Sequence, residues 1–452
     1  MKPAASAREV AIETLLAWER SRETADALLA ERLDASRLAP RDRDLAAELV
    51  RGVFRWRGRL DWQLASLVDR PVESLDPPVL ACLRLGLYQL DRLDRIPRHA
   101  AVDTSVQLAK RYARRGASGL VNAVLRRAPE ALLALVEPDA SEDPVGHLAA
   151  RTSHPRWLLE RWVARLGFRR TLQLAAANNT KPSLTLRVTS DRVDAVDLLA
   201  DLAARGVAAE PGRFLPDTVR LLDGWTPAIS EWLADGTVVV QDEAAGLVAY
   251  VARPAGGLRV LDVCAAPGGK AVRFADLCGD AEIVAADRSA RRLASLRQTL
   301  ARTGVPGIRL LVADGLQPAT RGGFGRVLVD APCTNTGVLG RRPDARWRRG
   351  PEDVIRLATL QGELLDAGRE QVGPGGLLVY STCSLEPEEN EHVVRDYLAR
   401  HPGDTIVSAA EVLPEEIVEN GCLRVEPHEH GTDGAFAAAI RPGARGLSVI
   451  AR

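Results

Sequence analysis

The sequence predicts a multidomain α and α/β protein. With 452 residues and 46% hydrophobic content, the chain is too long for one core, because domains usually hold about 100–200 residues. Apolar residues recur at helical spacing up to about Leu135, and from about Gly236 short Val/Leu runs alternate with amphipathic helices. The second pattern is typical of a doubly wound, mainly parallel sheet buried on both faces.

The N-terminal region, residues 4–135, reads as an all-α bundle. Apolar positions three and four residues apart recur through most of it, as expected of helices that bury one face. Several aromatic residues mostly fall on these apolar stripes, which favours packing in a core over stacking on bases. They are Trp18, Phe54, Trp56, Trp62 and Tyr88.

The formal net charge of zero conceals a basic segment. Residues 51–128 carry fifteen basic and seven acidic side chains. Such a segment can be the solvated surface of a helical bundle or a footprint for nucleic acid. Lysine is scarce in the chain, with only Lys2, Lys110, Lys181 and Lys270. The presence of a lysine is therefore a stronger indication of a specific role than the presence of an arginine.

A domain boundary and a small middle domain follow. Residues 136–147 are polar, acidic and contain proline, as expected between modules. Residues 148–235 alternate helical and β-like stretches, which predicts a small α+β unit. This unit shows no catalytic constellation, so it is expected to serve as a spacer or to contact RNA. The third domain is expected over residues 236–442.

Composition argues against several classes of protein. No apolar run approaches the roughly 20 residues that span a bilayer, and the N-terminus lacks the pattern of a signal peptide, so a cytoplasmic protein without membrane contact is expected. The cysteines form no C-x-x-C pair, which argues against a disulfide framework and against a zinc site. They are Cys82, Cys264, Cys278, Cys333, Cys383 and Cys422.

The first strand of the α/β region, residues 259–263, leads into "CAAPGGK" at 264–270. Small residues let the backbone approach a ligand, and the following helix start offers free N–H groups, so we expect a cofactor cradle. The motif is neither G-x-G-x-x-G nor G-x-x-x-x-G-K-[ST], which weakens nicotinamide and triphosphate interpretations. Asp287, at the end of the second strand and 19 residues after Gly268, suits ribose binding. Asp314 ends the third predicted strand.

The fourth and fifth strands end in "DAPC" (330–333) and "STC" (381–383). Ligands of parallel sheets bind at the carboxyl ends of the strands, so Asp330, Cys333 and Cys383 are expected on one rim. A lone cysteine is more often a buried small hydrophobe, and that interpretation holds for the cysteines elsewhere. The acidic residues just after Cys383 are expected to be exposed and to favour a helix start near Pro387.

Three segments resemble a known family. "DVCAAPGGK", "DAPCTNTGVLGRRPDARW" and "YSTCSLEPEENE" are similar to the motifs of the Sun-type RNA (cytosine-5)-methyltransferases, and "PHEHGTDGAFAAAI" resembles their closing strand motif. "AELVRGVFRWRGRLD", "LRLGLYQLDRLDRIPRHAAVDTSVQLAK" and "GLVNAVLRR" resemble the NusB-like RNA-binding domain of the bacterial 16S ribosomal RNA branch. The resemblance covers nearly the whole chain.

The resemblance implies a NusB-like bundle, a small α+β unit and a Rossmann-like methyltransferase sheet. It implies methyl transfer from S-adenosylmethionine, the small-molecule methyl donor, to carbon 5 of a cytosine in 16S ribosomal RNA. It implies catalytic roles for Cys383, Cys333 and Asp330. It implies cofactor contacts for Cys264, Ala265, Ala266, Pro267, Gly268, Gly269, Lys270, Asp287, Asp314 and Asp330.

The chemistry of cytosine is consistent with this implication. Carbon 5 is a weak nucleophile until a thiolate adds at carbon 6, which is the role expected of Cys383. Asp330, if protonated, would stabilise charge at ring nitrogen 3, and Cys333 would assist removal of the carbon 5 proton and release of the product.

Substrate contacts are predicted from charge. The segment 340–349, "GRRPDARWRR", follows the Asp330–Cys333 loop. Arginines there would hold phosphates and Trp347 could pack or stack; an ordinary basic loop is the alternative. The predicted RNA contacts are Arg341, Arg342, Arg346 and Trp347. Transfer RNA as substrate, and a non-catalytic ribosome-assembly factor, remain alternative functions.

Overall fold

The computed structural model describes residues 6–189, 193–222 and 226–443. The chain divides into two compact units: one contains residues up to Thr180 together with Leu339–Arg349, and the other contains Lys181–Val338 and the chain from Gly350 onward. This grouping departs from the three consecutive domains predicted from the sequence. Residues 148–180 join the helical region, and so does an eleven-residue segment that interrupts the α/β region in sequence.

The first unit is helical, as predicted. The first turn of a helix has backbone N–H groups without partners inside the helix. Ser6 and Glu9 form a capping box that bonds to such groups at the first helix. Two later helices begin with Pro40 and Pro77, which have no N–H group to satisfy. The helices are α1 (Ala7–Arg20), α2 (Ala25–Ala35), α3 (Pro40–Ala65), α4 (Pro77–Arg92), α5 (Arg98–Tyr112), α6 (Ala117–Leu133), α7 (Pro144–Thr152) and α8 (Arg156–Asn179). Helix α8 is kinked at Gly167, which has φ 75°.

The segment Leu339–Arg349 is fixed to this unit by Arg346. The guanidinium donates to the carbonyl oxygens of Arg55 at 3.1 Å, Ser153 at 3.2 Å and Asn178 at 2.7 Å. It also donates to Asn179 Oδ1 at 2.8 Å. The side chain is 1% exposed, and burial lowers its pKa well below the ordinary value. Arg346 therefore holds protein acceptors and is not available for a phosphate, contrary to the prediction.

Trp347 also makes packing contacts, which is one of the two roles that the sequence left open. Its Nε1 donates to the carbonyl oxygen of Phe54 at 2.6 Å, and its ring lies against the hydrophobic core of the helical unit. A Cβ on Gly58 would approach the ring to 2.9 Å, so the glycine leaves room for the indole. Arg342, by contrast, is exposed.

Replacing Arg346 with methionine should destabilise the helical unit. The change leaves buried carbonyl groups without a donor, and each such group costs about 1–3 kcal/mol, so we expect the free energy of unfolding to fall by roughly 3 kcal/mol. Denaturant unfolding followed by tryptophan fluorescence measures the change. The matched control is Arg342→Met on the exposed neighbour, which should change stability by less than about 0.5 kcal/mol. Equal effects of the two substitutions would contradict the role of Arg346.

The second unit contains two sheets. The smaller one is antiparallel, with strand order β2-β3-β1-β4, and it packs against α9 and α10 through a small apolar core. Its elements are β1 (Leu184–Val188), α9 (Ala195–Ala204), β2 (Ala209–Pro211), β3 (Thr218–Leu221), α10 (Pro227–Ala234) and β4 (Val238–Val240). This is the α+β arrangement expected of the middle region.

The larger sheet has the order β11-β12-β13-β9-β8-β5-β6-β7, with β10 paired to β13. Strands β7, β6, β5, β8 and β9 are parallel, and the remaining pairings are antiparallel. The strands are β5 (Arg259–Asp262), β6 (Glu282–Asp287), β7 (Ile308–Val312), β8 (Phe324–Asp330), β9 (Val372–Thr382), β10 (Thr405–Val407), β11 (Val418–Glu419), β12 (Cys422–Val425) and β13 (Ala435–Arg441).

Helices pack on the larger sheet through two apolar clusters. They are α11 (Glu243–Val251), α12 (Gly269–Cys278), α13 (Ala290–Thr303), α14 (Pro351–Gln371) and α15 (Glu391–Arg400). A short helix, α16 (Pro427–His430), precedes β13. The predicted fold class is confirmed. No helix in the described part of the chain combines the length and the hydropathy that crossing a bilayer requires.

Candidate active site

The cradle motif joins β5 to α12, as predicted. Gly268 has φ 103°, a conformation that favours glycine. A Cβ at this position would also lie 2.2 Å from Leu296 Cδ1, so both backbone and packing require glycine here. The loop therefore brings the start of α12 and its free N–H groups to the end of β5, where a ligand can approach the backbone.

Asp287 lies at the end of β6 and braces this loop. Its Oδ2 accepts from the Ala266 backbone N–H at 3.2 Å, and its Oδ1 accepts from that of Ser289 at 2.8 Å. Arg292 approaches Oδ2 at 3.3 Å. The carboxylate is 3% exposed. The structure thus places Asp287 directly against the cradle, and its role toward a ribose stays a prediction.

Asp314 lies two residues beyond β7, slightly past its predicted place at the strand end. Strands β6 and β7 pair with Asp287 opposite Val312, so Asp314 belongs to the same rim of the sheet. Its side chain is exposed, and Oδ1 accepts from the Leu316 backbone N–H at 3.0 Å. This contact is that of a turn residue, and contact with an adenine stays a prediction.

Asp262, which the sequence analysis did not select, is buried beneath the cradle. It is 1% exposed, and neither carboxylate oxygen accepts a hydrogen bond of ordinary geometry from the described residues. Burial, together with the charge of Asp330, raises its pKa to about 8, and the charge of Lys270 opposes the rise. The sequence did contain a signal for this residue, because Asp262 ends an apolar strand just before a glycine-rich loop, where ligands of parallel sheets bind.

The residues present fit S-adenosylmethionine. Carboxylates of Asp262, Asp287 and Asp330 surround the cradle and raise the pKa of the Cys264 thiol, which burial already raises, to about 12. Carboxyl groups at this rim favour a cationic ligand, because its charge would stabilise their ionised forms, and S-adenosylmethionine carries a sulfonium and an ammonium. Cys264 stays a neutral thiol, in agreement with a role through its backbone.

Replacing Asp262 with asparagine should alter the pH dependence of stability. The unfolded chain releases this proton near pH 3.8, whereas the folded protein holds it up to about pH 8. The folded state therefore binds one more proton between these values, and this group lowers the free energy of unfolding by roughly 1 kcal/mol per pH unit as pH rises.

Denaturant unfolding of wild type and Asp262→Asn across this pH range measures the effect. The stability of wild type relative to the variant should decline steadily as pH rises. A difference that is constant with pH would show that Asp262 has no raised pKa in the folded state. An unpaired amide costs stability equally at each pH, so it does not produce the slope.

Two thiols meet at the ends of β8 and β9, as the sequence predicted. Asp330 pairs with Ser381 in the parallel ladder, and the loops that follow bring Cys333 Sγ to 3.2 Å from Cys383 Sγ. Cys383 also lies 3.3 Å from Asn335 Oδ1. Cys383 is partly exposed, whereas Cys333 is buried. The accessible sulfur is therefore the one suited to attack a substrate.

Asp330 forms an ion pair with Lys270 from the cradle. Lys270 Nζ lies 2.7 Å from Asp330 Oδ2, and Ser381 Oγ donates to Asp330 Oδ1 at 2.8 Å. Burial acts to lower the pKa of Lys270, but the charges of Asp330 and of a Cys383 thiolate outweigh it, so the pKa is raised. Both oxygens of Asp330 accept hydrogen bonds, an arrangement suited to a carboxylate rather than to the protonated acid expected from the sequence.

The thiols influence each other. Cys333 has a pKa raised well above its ordinary value, first by its hydrogen bond to Cys383, then by burial and by the charge of an ionised Cys383. Two adjacent sulfurs therefore do not ionise together. Either sulfur can donate the hydrogen bond between them, and the positive charge of Lys270 interacts favourably with negative charge at Cys383.

Glu389 was expected among the exposed acidic residues after Cys383, and this expectation was wrong. It is 0% exposed and lies in a 3₁₀ turn, Pro387–Glu389, that precedes α15. Its carboxylate accepts hydrogen bonds from residues next to both thiols. Glu386 in the same run is also buried, with 1% of its surface exposed. The acidic run suggested a solvated helix start, and nothing in the sequence distinguished these two glutamates from Glu388 and Glu391.

Comparison with known proteins decides the family. A family model described as 16S rRNA methyltransferase RsmB/F matches residues 249–441. A Bacillus subtilis protein named probable ribosomal RNA small subunit methyltransferase B is 34% identical over 96% of this chain and 98% of its own. This chain belongs to the RsmB/F family of rRNA methyltransferases. A Pseudomonas putida relative, named ribosomal RNA small subunit methyltransferase B, is 41% identical over 80% of this chain and 82% of its own.

The other regions of this RsmB/F-family chain also match known domains. The NusB family matches residues 5–130, and a ferredoxin-like domain of RsmF/B-like methyltransferases matches residues 154–226. One solved crystal structure aligns over 98% of this chain and 100% of its own with a TM-score of 0.81 at 25% identity. A methyltransferase homolog from Pyrococcus horikoshii aligns over 65% of this chain and 97% of its own, with a TM-score of 0.56 at 28% identity.

Proposed function

We propose that this RsmB/F-family chain transfers a methyl group from S-adenosylmethionine to carbon 5 of a cytosine in 16S ribosomal RNA, through a covalent bond to Cys383. The observation that carries the proposal is the 3.2 Å separation of the Cys333 and Cys383 sulfurs beside the Lys270–Asp330 pair. The names of the relatives support a small-subunit ribosomal RNA, which in a bacterium implies a cytoplasmic site of action.

In the first half of the reaction Cys383 is the nucleophile. Its thiolate forms a bond to carbon 6 of the base, and the electrons of the carbon 5–carbon 6 double bond move to carbon 5, which becomes nucleophilic. The positive charge of Lys270 stabilises the negative charge of the Cys383 thiolate before attack. Bound S-adenosylmethionine supplies an electrophilic methyl group, for which we propose the cradle residues Cys264 to Lys270 with Asp287, Asp314 and Asp330 as the binding set.

In the second half Cys333 is the base. Bond formation at Cys383 removes its charge, so two of the four causes that raise the pKa of Cys333 disappear, and burial and the charge of Glu389 remain. Cys333 then loses its proton to solvent more readily and, as a thiolate, accepts the proton from carbon 5. The released electrons restore the double bond and expel Cys383 as a thiolate. The charge coupling between the sulfurs thereby orders the two steps.

Asp330 and Lys270 would act on the rest of the ring. A carboxylate can accept from the exocyclic amino group of cytosine, while the adjacent ammonium offers positive charge to the ring as electron density shifts. This assignment replaces the protonated Asp330 of the sequence analysis. It keeps both groups in the states that their ion pair favours.

The remaining RNA contacts are proposed for Arg341 and Arg342, of which Arg342 is exposed. Arginine at such positions binds phosphates and sets register rather than sequence. A cytosine within a helix has to be flipped outward before its ring can reach Cys383.

Transfer of a labelled methyl group from S-adenosylmethionine to RNA tests the proposal. The substrates are 16S ribosomal RNA, free and in small subunits, and transfer RNA. We expect 5-methylcytosine in the 16S RNA and its loss with Cys383→Ala. Label confined to transfer RNA would overturn the substrate, label on another base would overturn the chemistry, and absence of transfer to any of these RNAs would favour a non-catalytic role.

A further inference from the structure

The carboxylate of Glu389 joins the chain segments that carry the two thiols. Oε1 accepts from the Thr334 backbone N–H at 2.9 Å, and Oε2 accepts from the Ser384 hydroxyl at 2.5 Å. The Thr334 hydroxyl also donates to Oε2. Thr334 directly follows Cys333, and Ser384 directly follows Cys383. One side chain thus bonds to the immediate neighbour of each sulfur-bearing residue.

Helix α14 anchors this carboxylate to the body of the domain. Gln361 Nε2 donates to Glu389 Oε1 and to the Pro332 carbonyl oxygen, both at 3.0 Å. Tyr380 donates its hydroxyl to Gln361 Oε1 at 3.0 Å and also to the backbone carbonyl of Glu389. Gln361 and Tyr380 are fully buried, so the carboxylate is held on a rigid helix and strand rather than on the loops alone.

A carboxylate is the side chain that this position requires. Four neutral donor groups converge on it. An ionised carboxylate has two acceptor oxygens, which can accept about four hydrogen bonds in total, whereas an amide side chain has only one acceptor oxygen. Burial raises the pKa of Glu389, and the hydrogen bonds from Ser384, Thr334 and Gln361 oppose the rise. Burying such a group is costly unless its hydrogen bonds are made, and a helix start needs no buried carboxylate.

We propose that Glu389 is a positioning residue that sets the separation and direction of the Cys333 and Cys383 sulfurs. This inference rests on the proposed function, because Glu389 would position the two thiols for the proposed attack by Cys383 and the proposed removal of the proton by Cys333. Glu389 itself touches neither sulfur and takes no part in bond making. Its effect on the direction of the sulfurs passes through Thr334 and Ser384, and its charge also raises the pKa of Cys333.

The test compares Glu389→Leu, which removes both acceptor oxygens at similar volume, with Glu389→Gln, which keeps one. Misplacement of reacting groups by about 1 Å can cost 10²-fold, so we expect kcat to fall about 100-fold in the leucine variant and about tenfold in the glutamine variant. KM for RNA should change little in both. The matched control is Glu363→Leu, an exposed glutamate on α14, which should keep the kcat of wild type.

A second measurement requires no methyl transfer. Phenylarsine oxide binds a pair of thiols that can reach one arsenic atom, forming two arsenic–sulfur bonds and releasing water, so its affinity reports the geometry of Cys333 and Cys383. We expect one arsenical per chain, absent in Cys333→Ala. Binding should be weakened at least tenfold by Glu389→Leu, and less by Glu389→Gln.

The two readings separate the inference from the proposed function. An enzyme without methyl transfer whose arsenical affinity still depends on Glu389 would refute the function and support the positioning. A leucine variant with the kcat and arsenical affinity of wild type would overturn the inference. If the leucine variant fails to fold, the glutamine variant serves as the test. A glutamine variant with the kcat and the arsenical affinity of wild type would then overturn the inference.

Discussion

Replacing Cys383 with alanine should lower methyl transfer by at least about 10³-fold, the scale of loss when a covalent nucleophile is removed. Carbon 5 of cytosine does not gain enough electron density to take a methyl group without the sulfur. Donor affinity, measured by calorimetry, should stay close to that of wild type, because β8 lies between β9, which Cys383 follows, and β5, which leads into the cradle. Methyl transfer to 16S RNA is the measurement.

The control for this prediction is Cys82→Ala, which removes a thiol from the core of the helical unit. Burial raises the pKa of Cys82 to about 12, so it is a neutral packing residue and its loss should leave kcat nearly unchanged. If Cys383→Ala turned over at the wild-type rate, the covalent mechanism would be wrong even if the methylated base were 5-methylcytosine.

Replacing Cys333 with alanine should trap the enzyme on its RNA. In the proposed mechanism, attack by Cys383 does not need the second sulfur but removal of the carbon 5 proton does, so the methylated adduct should persist. We expect a complex that survives denaturing electrophoresis, with steady-state turnover reduced by about 10²-fold or more. Wild-type enzyme should show little of this species under the same conditions.

The double variant Cys333→Ala with Cys383→Ala provides the control, because it should form no complex that resists denaturation. Normal turnover by Cys333→Ala, without a trapped species, would assign proton removal to another group. Asp330 would then be the first residue to examine, since it lies on the same rim. Its two carboxylate oxygens accept hydrogen bonds from Lys270 and Ser381.

The convergence of the two thiols could be predicted because it depends only on strand direction. "DAPC" and "STC" each end an apolar run, and parallel neighbours place their ends on one edge. The register of Asp330 opposite Ser381 confirms this reasoning. The cradle followed in the same way from glycines placed between a strand and a helix.

The buried charges could not be predicted, because burial depends on partners distant in sequence. Glu389 bonds to Thr334, 55 positions away, and Arg346 bonds to the backbone of Arg55, 291 positions away. In the sequence both lie in charged runs that read as solvated surface. Asp262 differs, since its place at a strand end was visible, but only the fold shows that its oxygens are enclosed.

The grouping of the chain into two compact units could not be predicted for a related reason. The polar stretch 136–147 has the composition of a linker, yet α7 begins within it and the compact helical unit extends to Thr180. The return of Leu339–Arg349 to that unit depends on Arg346 and Trp347. Charge alone suggested an RNA-binding loop there, because the sequence does not show that carbonyl groups occupy the guanidinium.

The most direct test of the account is peptide mass spectrometry of the Cys333→Ala protein after incubation with 16S RNA and S-adenosylmethionine, followed by nuclease and protease digestion. We expect a methylated cytidine nucleotide attached to the peptide that contains Cys383, and to no other cysteine peptide. A nucleotide bound to a different residue, or active enzyme that forms 5-methylcytosine with no attached nucleotide, would contradict it.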